Sequence, residues 1–373
     1  MAGNIQQLNE SAVIRSLRRF RDRYFTNSGK VVKDDLTPDA RGDEAQPALL
    51  DSLPVDVQFL IMTFLSPADI CCLGGTSRYW RAMVRDPLLW RYFLLRDMPN
   101  WPSIDHVSMP QLDLLDAPLI NEDESLDDRE EGDDRGMESK FDYMSEYLKG
   151  CPSCRQQWLP SRPAYEVVTS FLQSLVPSSE PRYAMFGPGM EQLDVSLVTR
   201  LMHAPDVLPV SGTPHRQING IGSGISYMFN HQHRFNILTL YSTNSPAPQV
   251  QQVCQVVNGF IYVANAEPGR GEGESEVAQI QAVLSSAEGS ASRPLLVLSC
   301  VSREEPEEVG ITSLPTITSR NRARCRTPCV DMAQRLGLPQ LANPWLVQDT
   351  VAESLSGLLD GISWLLRCSG VKL

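Results

Sequence analysis

The sequence predicts a molecule in two parts: a helical first part, then an α/β part with a mostly parallel sheet carrying helices on both faces. Three observations predict it. The chain has 373 residues and is 42% hydrophobic, which at roughly 150 residues per domain leaves room for two or three cores. Residues 50–95 hold short apolar helical repeats punctuated by Leu-Pro, Ser-Pro and Asp-Pro. From residue 181 onward, short aliphatic runs alternate with helical patterns, as parallel strand–helix–strand units do.

Charge sets the first exclusions. Lys plus Arg is 33, Asp plus Glu is 45, and the net charge is -12. A phosphate-binding footprint is basic, so this balance argues against nucleic acid or an anionic membrane as the main partner. No apolar run reaches the roughly 18 residues a membrane span needs. The N-terminus, MAGNIQQLNESAVIRSL, lacks a long apolar stretch, so no secretory signal is expected. The nine cysteines show no disulfide-like rhythm. They read as reduced thiols, with the cytoplasm and also the nucleus as expected compartments.

Residues 1–48 read as a helix and linker. Val13, Leu17, Phe20 and Tyr24 recur at helical spacing, flanked by Arg15, Arg18, Arg19, Arg21 and Arg23. This stripe either docks on the protein's own body or joins two copies. Residues 49–95 carry the most specific signal. Pro54 suits the first turn of a helix, and Val57, Leu60, Ile61, Phe64 and Leu65 repeat along it. Ser66 caps a second helix, and residues 76–84 form a third, with Tyr79, Trp80 and Met83. About 40 residues cannot bury this much apolar surface alone. Leu53, Pro54, Val57 and Ile61 therefore remain for a partner's groove.

This segment resembles the F-box: Leu53-Pro54, an apolar helix ending Phe64-Leu65-Ser66-Pro67, Asp69, Trp80 and a closing Leu89-Trp90. The resemblance implies docking to the Skp adaptor of a cullin-RING ubiquitin ligase. The implied adaptor contacts are Leu53, Pro54, Val57, Ile61, Leu65 and Trp80. It further implies a substrate receptor with no catalytic residue and no cofactor of its own.

Residues 96–180 read as a linker with helical patterns at Phe141–Lys149 and Ala164–Val176. Within it, 121–139 holds ten Asp or Glu against Arg129 and Arg135, a local charge of -8, with almost no large apolar residue. Such a segment cannot offset its ordering entropy, so it is expected as a disordered loop.

Residues 181–369 carry the α/β pattern. Expected strands are Arg182–Phe186, Gly224–Asn230, Phe235–Tyr241, Gly259–Ala264, Pro294–Cys300 and a short Trp345–Gln348. Expected helices are Glu191–Leu201, Val250–Val257, Val277–Leu284, Pro328–Leu338 and Val351–Leu366. A hairpin turn sits at His231–Arg234, and Ser302–Arg326 reads as an exposed insertion. Gly224–Asn230 is expected at one sheet edge and Trp345–Gln348 near the other.

That order resembles small GTPases, but the nucleotide chemistry is missing. A phosphate loop needs GxxxxGK[ST], whose backbone N–H groups cradle phosphate while Lys and a hydroxyl serve charge and magnesium. Counted from Gly187, through Gly189, the second Gly is replaced by Gln192, the Lys by Leu193 and the hydroxyl by Asp194. Pro188 removes one donor and Glu191 repels phosphate. Neither Asp-x-x-Gly after Leu240 nor Asn-Lys-x-Asp after Cys300 is present. The domain is expected to have kept the fold and lost the ligand.

The combination resembles those F-box receptors that carry a degenerate GTPase-like domain, through Phe186–Gly189, Gln217–Gly224, Gly259–Glu267 and Pro344–Thr350. It implies telomeric repeat-binding factor and D-type cyclins as substrates, a homodimer, and a substrate surface at Cys329 and Ala333, one turn apart. The alternatives are a regulatory switch that still binds nucleotide and an F-box scaffold outside a ligase.

Other chemistry-bearing residues form no site. Cys151 and Cys154 have zinc-like spacing, but a second pair is needed and Cys325 with Cys329 lies far downstream. Cys71 and Cys72 read as small buried hydrophobes. His231 and His233 have no nucleophile beside them. Arg320, Arg322, Arg324 and Arg326 read as a solvated basic loop.

Overall fold

The computed structural model describes residues 50, 52–112, 141–154, 180–212, 224–240, 248–270, 273–287, 292–304 and 326–373. The expected helices at 13–24 and 164–176, the acidic stretch 121–139 and most of 302–326 lie outside these residues. The chain divides into two compact units, one of residues 1–96 and 111–148, the other of 97–110 and 149–373.

The first unit is helical. Helix α1 is Val55–Phe64, α2 Pro67–Gly74, α3 Arg78–Met83, α4 Pro87–Asp97 and α5 Tyr143–Gly150. The boundaries follow local chemistry. Ser66 caps α2 by accepting from the Asp69 amide at 3.2 Å, and Ser77 caps α3 through the Trp80 amide at 3.1 Å. The Asp86 carboxylate accepts from the Leu88 amide at 2.8 Å and opens α4. The core is Phe59, Met62, Ile70, Trp80, Met83, Leu89, Trp90 and Phe93. Tyr147 of α5 closes it, with ring centroids 5.4 Å from Trp90 and 6.2 Å from Phe93.

The second unit is built on one eight-stranded sheet. Its strands are β1 Ser103–Asp105, β2 Arg182–Phe186, β3 Val210–Gly212, β4 Gly224–Phe229, β5 His233–Thr239, β6 Gly259–Asn265, β7 Leu295–Val301 and β8 Trp345–Val351. They lie in the order β1-β8-β7-β6-β2-β5-β4-β3. Strands β5, β2, β6, β7 and β8 are mutually parallel, and the flanking β4, β3 and β1 pair antiparallel. Every residue of β6, β7 and β8 is buried. Strands buried throughout need cover on both faces, which is why they read as continuous apolar runs. The helices are α6 Gly189–Gln192, α7 Leu197–His203, α8 Pro248–Val256, α9 Gly273–Ser285, α10 Cys329–Arg335 and α11 Leu358–Cys368.

The architecture is the expected one, and several particulars differ. Neither expected edge is an edge: β3 pairs outside β4, and β1 pairs outside β8 through Ile104 opposite Val347. Segment 97–110, expected in a linker, is therefore part of the α/β unit. Its Ile104 is fully buried and Trp101 nearly so. The helix expected at Glu191–Leu201 is two helices, because Ser196 caps a new start at the Thr199 amide and the Asp194 amide donates to Ser302 Oγ instead of to a helical carbonyl. The final helix starts at Leu358. Before it, β8 runs to Val351, and a turn holds Leu355 at φ 59 and Gly357 at φ 77. A Cβ on Gly357 would lie 2.0 Å from the Asp349 carbonyl oxygen, so only glycine fits.

The buried position of Ile104 yields a first test. Ile104→Ala removes buried methyl groups from a strand the sequence leaves unassigned, at a cost of about 2–5 kcal/mol. The expected result is a melting temperature lowered by roughly 5 °C or more. An unchanged melt would return residues 97–110 to a linker.

Candidate functional site

Helix α1 buries two polar residues beside Phe59 and Met62 and exposes three large apolar ones. Gln58 and Thr63 are buried, while Val57, Leu60 and Phe64 are 39%, 43% and 63% exposed. The buried polar groups are satisfied locally. Gln58 Nε2 donates to the carbonyls of Leu50 and Leu53 at 3.0 and 3.1 Å, and Gln58 Oε1 accepts from the Tyr79 hydroxyl at 2.5 Å. Thr63 Oγ1 donates to the Leu60 carbonyl at 2.7 Å. At 100° per residue, positions 57, 60, 61 and 64 share one face and 58, 59, 62 and 63 the opposite one. The outer face is thus Val57, Leu60, Ile61 and Phe64, with Pro54 exposed at its head and Leu53 and Leu65 half-buried. A large apolar face left in water marks an interface.

Of the six expected adaptor contacts, five lie on or beside this face and one does not. Trp80 is 3% exposed and belongs to the core, edge-on to Tyr79 with centroids 5.3 Å apart. Its neighbour Tyr79 presents the exposed ring. Leu60, Phe64 and Tyr79 are exposed as well, and the sequence reading did not place them on this surface. The signal that could have found them is the polar pair Gln58 and Thr63, which share a face with Phe59 and Met62. Cys71 and Cys72 are exposed on α2, against expectation. Partial burial and the adjacent Cys72 push the Cys71 thiol up.

In the α/β unit, ligands of such sheets sit beyond the carboxyl ends of the parallel strands. Among the described residues, the loop after β2 packs on the neighbouring strand at this end of the sheet. Gly187 has φ 122, and a Cβ there would meet the Val263 carbonyl oxygen at 2.5 Å, so the loop after β2 lies pressed on β6. Four of its amides are bonded within the chain. Met190 N donates to Gly187 O, Glu191 N and Gln192 N to Pro188 O, and Asp194 N to Ser302 Oγ at 3.0 Å. Leu193, at the lysine position, is buried. Ser302 Oγ donates to Glu267 Oε1 at 2.5 Å, and Arg270 Nη1 donates to the Gln192 carbonyl at 3.2 Å. Around Gly187, Gly189, Gln192, Leu193 and Asp194, the amides of Met190, Glu191, Gln192 and Asp194 are thus bonded within the chain. One millimolar GTP with magnesium is therefore expected to leave the melting temperature unchanged within about 1 °C. A ligand at a hundred times its Kd would add about 2.7 kcal/mol, so a clear upward shift would restore the switch reading.

Beside the crevice, α10 is held by a buried ion pair. Arg326 Nη2 lies 3.0 Å from Asp349 Oδ1 and donates to the Ser299 carbonyl at 2.5 Å. The Cys329 thiol donates to the same Asp349 oxygen at 3.0 Å. Arg335 ties the far end of α10 to Glu276 at 3.2 Å and to the Asn265 carbonyl at 3.1 Å. Arg326 thus belongs to the interior and not to a solvated basic loop. Cys329 and Ala333, expected to meet a substrate, are fully buried. Their side chains pack inward because α10 lies against β8 and β1, and the Pro102 carbonyl meets the Cys329 thiol at 3.5 Å. They are corrected here to core residues.

No metal chemistry emerges among the described residues. Burial pushes the Cys300 thiol up to about 12, against the pull of Arg326, and that of Cys254 to about 11. Cys151 and Cys154 gather no metal-ligand cluster. No described helix is long and apolar enough to cross a membrane.

Residues 50–96 match the family model described as F-box-like. Over its length the chain is similar to F-box only protein 4 of mouse, at 43% identity over 90% of this chain and 89% of the relative. The bovine protein of that name gives 43% over 90% and 88%, and the human one 44% over 87% and 84%.

Proposed function

We propose, for a chain that belongs to the F-box only protein 4 family, that it is the substrate-receiving subunit of an SCF-type cullin-RING ubiquitin ligase and performs no catalysis itself. The observation that carries this reading is the outward apolar face of α1 inside the F-box-like segment. An amphipathic helix laid into a partner's hydrophobic groove buries such anchors at i, i+3, i+4 and i+7. Val57, Leu60, Ile61 and Phe64 have that spacing. The partner is the Skp adaptor, and through it the cullin and the RING protein.

The α/β unit is then the substrate end, handing telomeric repeat-binding factor and D-type cyclins to ubiquitination and degradation. What supports a binding role over a switching one is the replacement of the phosphate-loop glycine, lysine and hydroxyl by Gln192, Leu193 and Asp194, with Leu193 buried. The stripe Val13, Leu17, Phe20 and Tyr24 joins two receptors into a homodimer, acting in the cytoplasm and nucleus. The deciding experiment is co-purification with the Skp adaptor after joint expression. A stoichiometric complex is the expected result, and a chain that elutes without adaptor would remove the ligase reading.

A further inference from the structure

The turn after α5 brings together two thiols that have no part in the adaptor face. It reads Cys151-Pro152-Ser153-Cys154, and the sequence encodes its shape. Proline holds φ at about -65° and suits the second position of a β-turn. The Cys154 amide donates to the Cys151 carbonyl at 3.0 Å and closes that turn. A β-turn keeps its first and last Cα atoms within about 7 Å, and a disulfide spans Cα atoms up to about 6.8 Å apart. The side chains converge as well. The Ser153 hydroxyl lies 3.2 Å from Cys151 Sγ and 3.9 Å from Cys154 Sγ, so both sulfurs sit around one oxygen. They are two thiols and not a disulfide in this structure.

The surroundings pin this turn and set an order of reaction. Helix α5 ends at Gly150, where a Cβ would meet Trp101 Cζ3 at 2.5 Å and the Ser108 carbonyl oxygen at 3.2 Å. That close approach fixes the chain one residue before Cys151. Cys151 is 6% exposed, whereas Cys154 is half-buried. A dissolved oxidant therefore meets Cys154 first, with Cys151 behind it. The exposed Cys71 and Cys72 lack this arrangement, because neighbours on one α-helix point about 100° apart. We propose that Cys151 and Cys154 are a redox pair that closes to an intramolecular disulfide when a small disulfide, such as oxidised glutathione, reaches Cys154. The Cys154 thiolate attacks one glutathione sulfur, the glutathione S–S bond breaks, and the released glutathione takes a proton. The Cys151 thiolate then attacks the Cys154 sulfur of the mixed disulfide and expels the second glutathione, which takes the other proton. Two protein thiols are oxidised and one glutathione disulfide is reduced to two thiols. The second step is intramolecular across a formed turn, so it outruns attack by another glutathione. Reduced glutathione reverses both steps.

Trypsin releases both thiols in one peptide, 150–155, because Lys149 and Arg155 flank them. The full-length chain is equilibrated with glutathione buffers of graded oxidation, quenched in acid, alkylated, digested and read by mass. The expected product is peptide 150–155 with an internal disulfide and no attached glutathione. The synthetic peptide 150–155 is the reference. The disulfide is expected to form at least about tenfold more favourably in the folded chain, a factor that ordering the backbone of a single residue in advance supplies. Cys151→Ser is expected to stop at a glutathione adduct on Cys154, and Cys154→Ser to leave the buried Cys151 unmodified. Circular dichroism melts establish that both variants are folded, and the comparison of native chain with peptide needs neither. A folded chain that oxidises no more favourably than the peptide would overturn the proposal. So would a native chain that stops at the mixed disulfide, or thiols at 151 and 154 that stay open to alkylation in excess oxidised glutathione.

Discussion

Leu60→Ser together with Phe64→Ser removes adaptor capture by at least about a hundredfold and leaves the melting temperature within about 2 °C of the native chain. Both halves follow from exposure. Phe64 is 63% and Leu60 43% exposed, so truncating them opens no cavity, and surface substitutions away from special features move stability by about 0.5 kcal/mol or less. In a complex the same side chains would sit at the centre of the interface. Anchors there cost about 2–4 kcal/mol each when truncated, and 2.7 kcal/mol is a hundredfold in affinity. The control is Trp80→Ala, which removes a buried side chain. Its expected cost is about 3–5 kcal/mol of fold stability, so it loses the adaptor by unfolding. Full adaptor capture by the Leu60/Phe64 variant would move the interface elsewhere on the helical unit.

Asp349→Ala lowers the stability of the α/β unit by about 3–5 kcal/mol, the usual cost of stranding a buried charge. Arg326 would lose its counter-ion while its side chain is only 10% exposed, and the Cys329 thiol would lose its acceptor. At roughly 2–4 °C per kcal/mol for a domain of this size, the melting temperature falls by about 10 °C. The double replacement Arg326→Met with Asp349→Leu isolates the cause. It removes both charges and refills the volume, so it recovers most of the loss, as apolar replacement of buried pairs often does. A single variant as stable as the native chain would show that water already reaches the pair.

Local chemistry was legible where one residue type has one use. Leu53-Pro54, Ser66-Pro67 and Asp86-Pro87 marked the helix starts of the first unit, and the capping bonds of Ser66 and Asp86 are those marks in three dimensions. The continuous apolar runs of β6 and β7 stood out because a strand covered on both faces needs no polar side. The missing phosphate loop was equally readable, since Gln192, Leu193 and Asp194 cannot supply what a glycine, a lysine and a hydroxyl do. The side of a helix was not legible. Phe59 and Leu60 look alike in sequence, and which is core follows from Gln58 bonding back to Leu50 and Leu53.

The sequence alone determined the two-part architecture, the helical F-box segment and the departure of Gln192, Leu193 and Asp194 from the phosphate-loop pattern. Each rests on residue type and short-range spacing. Only the tertiary structure decided which residues face out. It drew Ser103–Asp105 across from a linker to seal β8, and it turned Cys329 and Ala333 inward beneath the Pro102 carbonyl. It also buried Arg326 against Asp349. The physical reason is common to all three. Pairing of β1 with β8 spans about 240 residues of chain, and Arg326 meets its counter-ion across a helix and a strand. Such contacts are set by which distant segments cover one another, and no local pattern of residues encodes that.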